Sequence, residues 1–149
     1  PDKIKGLIIE GVHVLIEDIT LNGVREAQKT LETTNISKAL AKYHGDKVFD
    51  LYIAWTKTWL SEQHQSWNIE HFIPKINVSI LLIQGENDEF GSMNQVNAFD
   101  NAVVNVDKLI VPNAGHTAHK ENKQLVFNAV VKFVENILSE DFKTKQLCK

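Results

Sequence analysis

The sequence predicts an α/β fold with a short run of parallel strands, on three observations. Three apolar runs, residues 4–9 (IKGLII), 79–84 (SILLIQ) and 107–112 (DKLIVP), are rich in β-branched residues and too short for helices. The first two are separated by roughly seventy residues of helical periodicity, the last two by a segment of crossover length. The second and third runs each end in a polar cluster, GENDEFGS (85–92) and NAGHTAH (113–119). Open α/β sheets place their functional groups at such carboxyl ends.

Each element follows from local pattern. The run 4–9 lies in KIKGLIIEG, bounded by Gly6 and Gly11, and reads as a buried strand. The stretch after it accommodates three to five helices of ordinary length. The clearest covers residues 46–61, with Asp46 as its cap and Val48, Tyr52, Trp55 and Trp59 on one face. A helical insertion between two parallel strands is a cap over the strand ends. The run 79–84 is the second buried strand, followed by a crossover helix over 94–104. The run 107–112 is the third, followed by a long helix over 121–138 that turns Leu125, Val126, Ala129, Val130, Phe133, Val134 and Ile137 inward. The expected organisation is a first strand in 1–15, a helical cap in 16–75, the remaining strands and helices in 76–140, and a polar, fraying tail in 141–149.

Composition narrows the function classes. With 149 residues, 43% hydrophobic and 23% charged, the chain can bury a real core. Its net charge of -3 and scattered Lys and Arg argue against nucleic acid or an anionic membrane as partner. The apolar runs are too short to span a bilayer. The single cysteine, Cys148, cannot form an internal disulfide, which is compatible with a reducing compartment, and the expected location is cytoplasmic. The chain opens at Pro1 without an initiator Met and enters a strand within a few residues, as the middle of a larger protein would. The lack of a signal peptide therefore says nothing about secretion.

The segments PDKIKGLIIEGVHVLIEDIT, LLIQGENDEFGS and VPNAGHTAH, in that order and spacing, resemble the carboxyl-terminal half of an α/β-hydrolase-fold serine hydrolase of the esterase or carbon–carbon bond hydrolase type. The resemblance covers nearly the whole chain. It implies the last three strands, the cap and the final helix of that fold, with the amino-terminal half absent. In that family the triad runs in the order Ser, Asp or Glu, His. No Gly-x-Ser-x-Gly occurs here, so the resemblance implies an acid and a base without their nucleophile or oxyanion-hole loop.

Asp88 and His116 are the catalytic candidates. A serine hydroxyl needs a base within hydrogen-bond reach, and that base needs an acceptor to fix its tautomer. Asp88 could otherwise serve only as a turn former, and His116 as an ordinary loop histidine. Glu86 and Glu89 are expected to face solvent, and Glu10, at the end of the first strand, is the alternative acid. His116 and His119 form an H-x-x-H, but zinc needs three or four ligands and no Cys or carboxylate completes the set at a recognised spacing. Neither a metal nor a cofactor is expected; His119 reads as a neighbour of the site or a surface residue. His13, just past the first strand, and Trp55, on the cap's aromatic stripe, are the candidates for contact with a small-molecule substrate, ordinary packing being the plainer role for both.

Two functions fit. One is hydrolysis of a small ester, lactone, thioester or activated carbon–carbon bond, by a chain inactive on its own. The other is a non-catalytic binding or interaction protein that keeps the fold. The residue in an upstream nucleophile elbow separates them. The strand 4–9 would have an open edge in this chain, so the expected partner is the missing half or a second copy, and a free monomer is not expected.

Overall fold

The computed structural model describes residues 3–100 and 105–147, with side chains to residue 139. The chain forms two compact units, Leu15–Asn68 and the remainder.

The larger unit is built on a parallel three-stranded sheet, β1 (Gly6–Glu10), β2 (Ser79–Gly85) and β3 (Val106–Val111), in spatial order β1-β2-β3. Gly6 pairs with Ser79, Ile80 with Val106, and Gly85 with Val111, so β2 and β3 end level, while β1 ends at Glu10 beside Ile83, two residues earlier. β2 is central and buried from Ile80 onward, as a strand paired on both sides should be. The edges differ from the expected buried runs. Ile4 lies outside β1 and is 52% exposed, Ile8 is 44% exposed, and Asp107 and Lys108 of β3 are exposed.

The strands Leu81, Ile83 and Val111 share a core with Ala114, Ala118, Val126 and Phe133, against which Ala129, Val130 and Ile137 pack. Helices α6 (Ala118–Glu121) and α7 (Lys123–Leu147) supply it. Five of the seven residues expected to face inward on the last helix do so. Leu125 and Val134 stand at 36% and 42% exposure, because the inward seam at 126, 129/130, 133 and 137 is narrower than a full apolar stripe. The α7 backbone continues to Leu147, into the stretch expected to fray.

Between β2 and β3 the expected eleven-residue crossover helix is one turn, α5 (Met93–Asn97). Ser92 caps it, accepting from the Asn94 N–H. Asn94 and Asn97 are weak helix formers, and the chain tightens at once into bonds from Phe99 N–H to Val96 and from Asp100 N–H to Asn97. Residues 101–104 of that expected helix lie outside the described residues.

The smaller unit holds α1 (Asp18–Thr33), α2 (Ile36–His44), a 3₁₀ turn (Gly45–Lys47), α3 (Val48–Trp59) and α4 (Glu62–Gln65). Val24, Leu31, Val48 and Thr56 are buried, and the Tyr52 hydroxyl donates to the Ala27 carbonyl, tying α3 to α1. Val48, Tyr52, Trp55, Thr56 and Trp59 form the less exposed face of α3. Asp46 is not the cap. Capping needs an extended residue before the first turn, whereas the chain enters α3 directly from a 3₁₀ turn and Lys47 holds the N-cap position with helical angles. Among the described residues, no helix is long and apolar enough to cross a membrane.

Candidate active site

The carboxyl ends of the three strands feed three loops. Those after β2 and β3 are joined backbone to backbone: Glu86 N–H donates to Val111 O at 3.0 Å and Asn87 N–H to Ala114 O at 2.8 Å. Gly85 permits this approach, since a Cβ there would lie 2.1 Å from the Gly115 carbonyl oxygen. Asn113 turns the second loop with φ of 58°, a conformation its short polar side chain tolerates.

This places His116 against Asp88, with Nδ1 2.9 Å from Oδ2 and 3.1 Å from Oδ1. The Asp88 side chain is 1% exposed and that of His116 32%. Oδ1 of Asp88 accepts from the Phe90 and Gly91 N–H groups at 2.8 and 3.2 Å, and Oδ2 from Nε2 of Gln84 at 2.7 Å. Burial alone would raise the Asp88 pKa. The bonds from His116, Phe90 and Gly91, with the imidazole's charge, outweigh burial and hold the carboxyl below its ordinary range. The Asp88 hydrogen bond raises His116 above the ordinary histidine value against the opposing effect of burial, and the charges of Asp88, Glu89 and Glu10 add to the rise.

Gly11, with φ of 57°, passes directly against the His116 ring, and Phe90 meets that ring edge-on at 5.0 Å between centroids. The His13 ring lies 5.7 Å from that of His116. Trp55 belongs to the helical unit, where it packs edge to face on Tyr52 at 5.3 Å. Trp59, His64 and Trp67 follow as a further aromatic series in the same unit.

Glu10 pairs with the other histidine of the loop: its Oε2 lies 2.7 Å from His119 Nδ1, and its Oε1 accepts the His119 N–H at 2.8 Å. Glu86 and Glu89 are exposed as expected, yet each carboxylate accepts a loop N–H, from Asn113 at 3.0 Å and from His116 at 3.1 Å. Glu121 accepts from Gly115 N–H at 3.0 Å.

Gln84 was the residue the sequence reading missed. It is 1% exposed and donates from Nε2 both to Asp88 and, at 3.0 Å, to the Gly91 carbonyl, so it fixes the acid loop from beneath. An amide closing an otherwise apolar buried strand was the available signal, because a buried polar group needs partners. Gln95 is also buried, accepting the Val14 N–H at 2.8 Å.

No group of three or more His, Cys, Asp or Glu among the described residues could hold a metal ion. A cavity of about 330 Å³, lined by Ser79, Asn105, Phe133 and Asn136 among others, opens at the amino-terminal ends of β2 and β3, away from the dyad.

Comparison with solved structures identifies the fold. A serine hydrolase involved in carbazole degradation superposes with a TM-score of 0.63 at 24% identity, covering 89% of this chain and 54% of that one. NosK from Streptomyces actuosus superposes at 0.72 with 16% identity, covering 92% and 60%. The meta-cleavage product hydrolase of Pseudomonas fluorescens IP01 gives 0.59 at 13% identity, covering 90% and 57%. The three parallel strands and their helices are therefore part of an α/β-hydrolase fold, and the chain spans between about half and three-fifths of these relatives' length. Direct comparison with curated protein sequences finds no match. At the level of the family, the PhoPQ-activated pathogenicity-related proteins match residues 25–145, most of the chain, and the chain belongs to that family.

Proposed function

We propose that this chain supplies the acid and the base of a serine-type hydrolase site, His116 as general base and Asp88 as its orienting carboxylate. The observation that carries the reading is the 2.9 Å contact between His116 Nδ1 and the buried Asp88, at the level ends of adjacent parallel strands. With Nδ1 engaged, Nε2 is the nitrogen left to take a proton, and part of the ring faces solvent. The base would remove the hydroxyl proton of a nucleophile as it attacks an acyl carbon, then return it to the leaving group. No Gly-x-Ser-x-Gly occurs in the chain, so the nucleophile and the oxyanion-hole amides are proposed to come from a segment or partner outside it.

The proposed substrate is a small ester, lactone, thioester or activated carbon–carbon bond, with His13 beside the imidazole and Trp55 of the proposed cap as the contacts. The hydrolase fold of the neighbours supports the class of reaction but not its substrate.

Fluorophosphonate labelling of the purified protein, read as intact mass under denaturing conditions, tests the proposal. An adduct borne outside these 149 residues, and abolished by His116→Ala, is the expected result. Labelling that His116→Ala leaves unchanged, or no adduct when sequence beyond these 149 residues is present in the protein, overturns it.

A further inference from the structure

The loop that carries His116 is held by four glutamates from three parts of the fold. Asn113, Gly115, His116 and His119 donate their N–H groups to Glu86, Glu121, Glu89 and Glu10. Three of these contacts are to the N–H groups of other residues, Asn113, Gly115 and His119. The fourth is at the histidine itself, where Glu89 Oε2 accepts the His116 N–H at 3.1 Å. Glu89 follows Asp88 directly in the chain. Consecutive residues of one loop thus hold consecutive parts of the histidine, Asp88 its ring and Glu89 its backbone.

We propose that Glu89 is a positioning residue for His116, which by fixing the histidine's own N–H sets the direction from which the imidazole meets Asp88. The proposal rests on the hydrolase reading for its consequence in catalysis, though not for its geometry. Two bonds from adjacent residues leave the histidine little freedom to swing about its backbone. The carboxylate also contributes charge. The groups around His116 are Asp88 and Glu89 from the loop after β2, Glu10 and His13 from the end of β1, and His119 and Glu121 from α6. Glu89 and Glu10 are the carboxylates beyond Asp88 whose charge favours the protonated ring.

Three conservative variants separate the bond from the charge. Glu89→Gln keeps an acceptor and removes the charge, Glu89→Asp keeps the charge on a shorter arm, and Glu86→Gln removes a charge that holds the loop at Asn113. Labelled-histidine NMR of the whole protein reads both the His116 titration and the resonance of its bonded Nδ1 proton. Glu89→Gln is expected to lower the His116 pKa while the bonded proton stays visible. Glu89→Asp is expected to broaden that proton or speed its exchange, and Glu86→Gln to change neither. In hydrolysis, Glu89→Gln moves the acid limb to lower pH, and Glu89→Asp lowers kcat more than it changes KM.

The proposal is overturned if Glu89→Gln and Glu86→Gln move the titration equally, or if Glu89→Asp leaves the bonded proton unaltered. The NMR readouts need no substrate. A failure of the hydrolase reading, seen as labelling indifferent to His116→Ala, is therefore distinguishable from a failure of this one.

Discussion

Replacing Gly11 by alanine perturbs the dyad without substituting either member. A Cβ at this position would lie 2.7 Å from His116 Cε1 and 2.9 Å from Nδ1. Carbon atoms pack at about 3.5–4.0 Å, so the ring must retreat by roughly 1 Å. Asp88 cannot follow, because Gln84, Phe90 and Gly91 hold both of its oxygens. The 2.9 Å contact with Nδ1 would then open past hydrogen-bond range. Loss of a bond to a charged group costs about 1.5–3 kcal/mol, and a left-handed alanine about 1–2 kcal/mol, together roughly 2.5–5 kcal/mol. Gly45 isolates the backbone component, since its φ is also 57° and nothing lies within 4 Å of the added Cβ, although its ψ of -137° puts it outside the left-handed helical region. Gly45→Ala should cost only the backbone component, about 1–3 kcal/mol at such sparsely populated angles, with no hydrogen bond lost. Urea denaturation of both variants gives the difference, and the bonded Nδ1 proton should vanish only in Gly11→Ala. Equal destabilisation of the two variants, with that proton retained in both, would refute the reasoning.

Further outcomes follow from the same geometry. His116 titrates above its ordinary 6.5, so its contribution to stability is complete below that pH and is lost as pH rises through the folded value. Asp88 titrates below its ordinary 3.8, so its contribution is complete above that pH and is lost as pH falls through the folded value. The stability difference between the parent protein and His116→Ala, followed by denaturation across pH, should therefore peak between about 4 and 6.5 and decline on both sides. Asp88→Asn should lower the His116 pKa in an NMR titration and reduce hydrolysis by ~10⁴-fold, mainly in kcat, because the ring loses the partner that fixes its tautomer. Phe133→Ala removes a 5% exposed ring from the core between α7 and the sheet and should cost about 3–5 kcal/mol in denaturant unfolding.

The parts of the fold legible in the sequence were those where burial imposes a pattern. Ile80 to Ile83 form an apolar run because β2 is covered on both faces, and Val126, Ala129, Val130, Phe133 and Ile137 keep helical spacing because one side of α7 meets the sheet. The positions of Asp88 and His116 followed from strand ends and turn residues. Their contact is a geometrical fact that spacing along the chain cannot contain, since it depends on the register of Gly85 with Val111. Hydropathy gave no warning that Leu125 and Val134 would be exposed, because an apolar stripe records what a helix can bury rather than what reaches it. The backbone contacts of Glu86, Glu89, Glu10 and Glu121 were not legible for another reason. Exposed glutamates are abundant, and their partners here are backbone N–H groups, which no sequence displays.

The excursion Leu15–Asn68 returns the chain almost to its point of departure. Leu15 and Asn68 form an antiparallel bridge, Ile16 N–H donates to Trp67 O, and Ile69 N–H donates to Val14 O. Closing a loop of this length costs about 3–4 kcal/mol of chain entropy, and cutting it to a few residues would recover only about 2 kcal/mol. Pairing of β1 with β2 must wait for that closure, whereas β2 and β3 are near in sequence. The β2–β3 crossover half of the sheet, with α7 upon it, is thus set to assemble first, with β1, its Glu10 and the following Gly11 docking last. A segment tethered at so narrow a neck can also change in length or composition through evolution at little expense to the strands that flank it in the chain, while the residues around His116 remain under constraint.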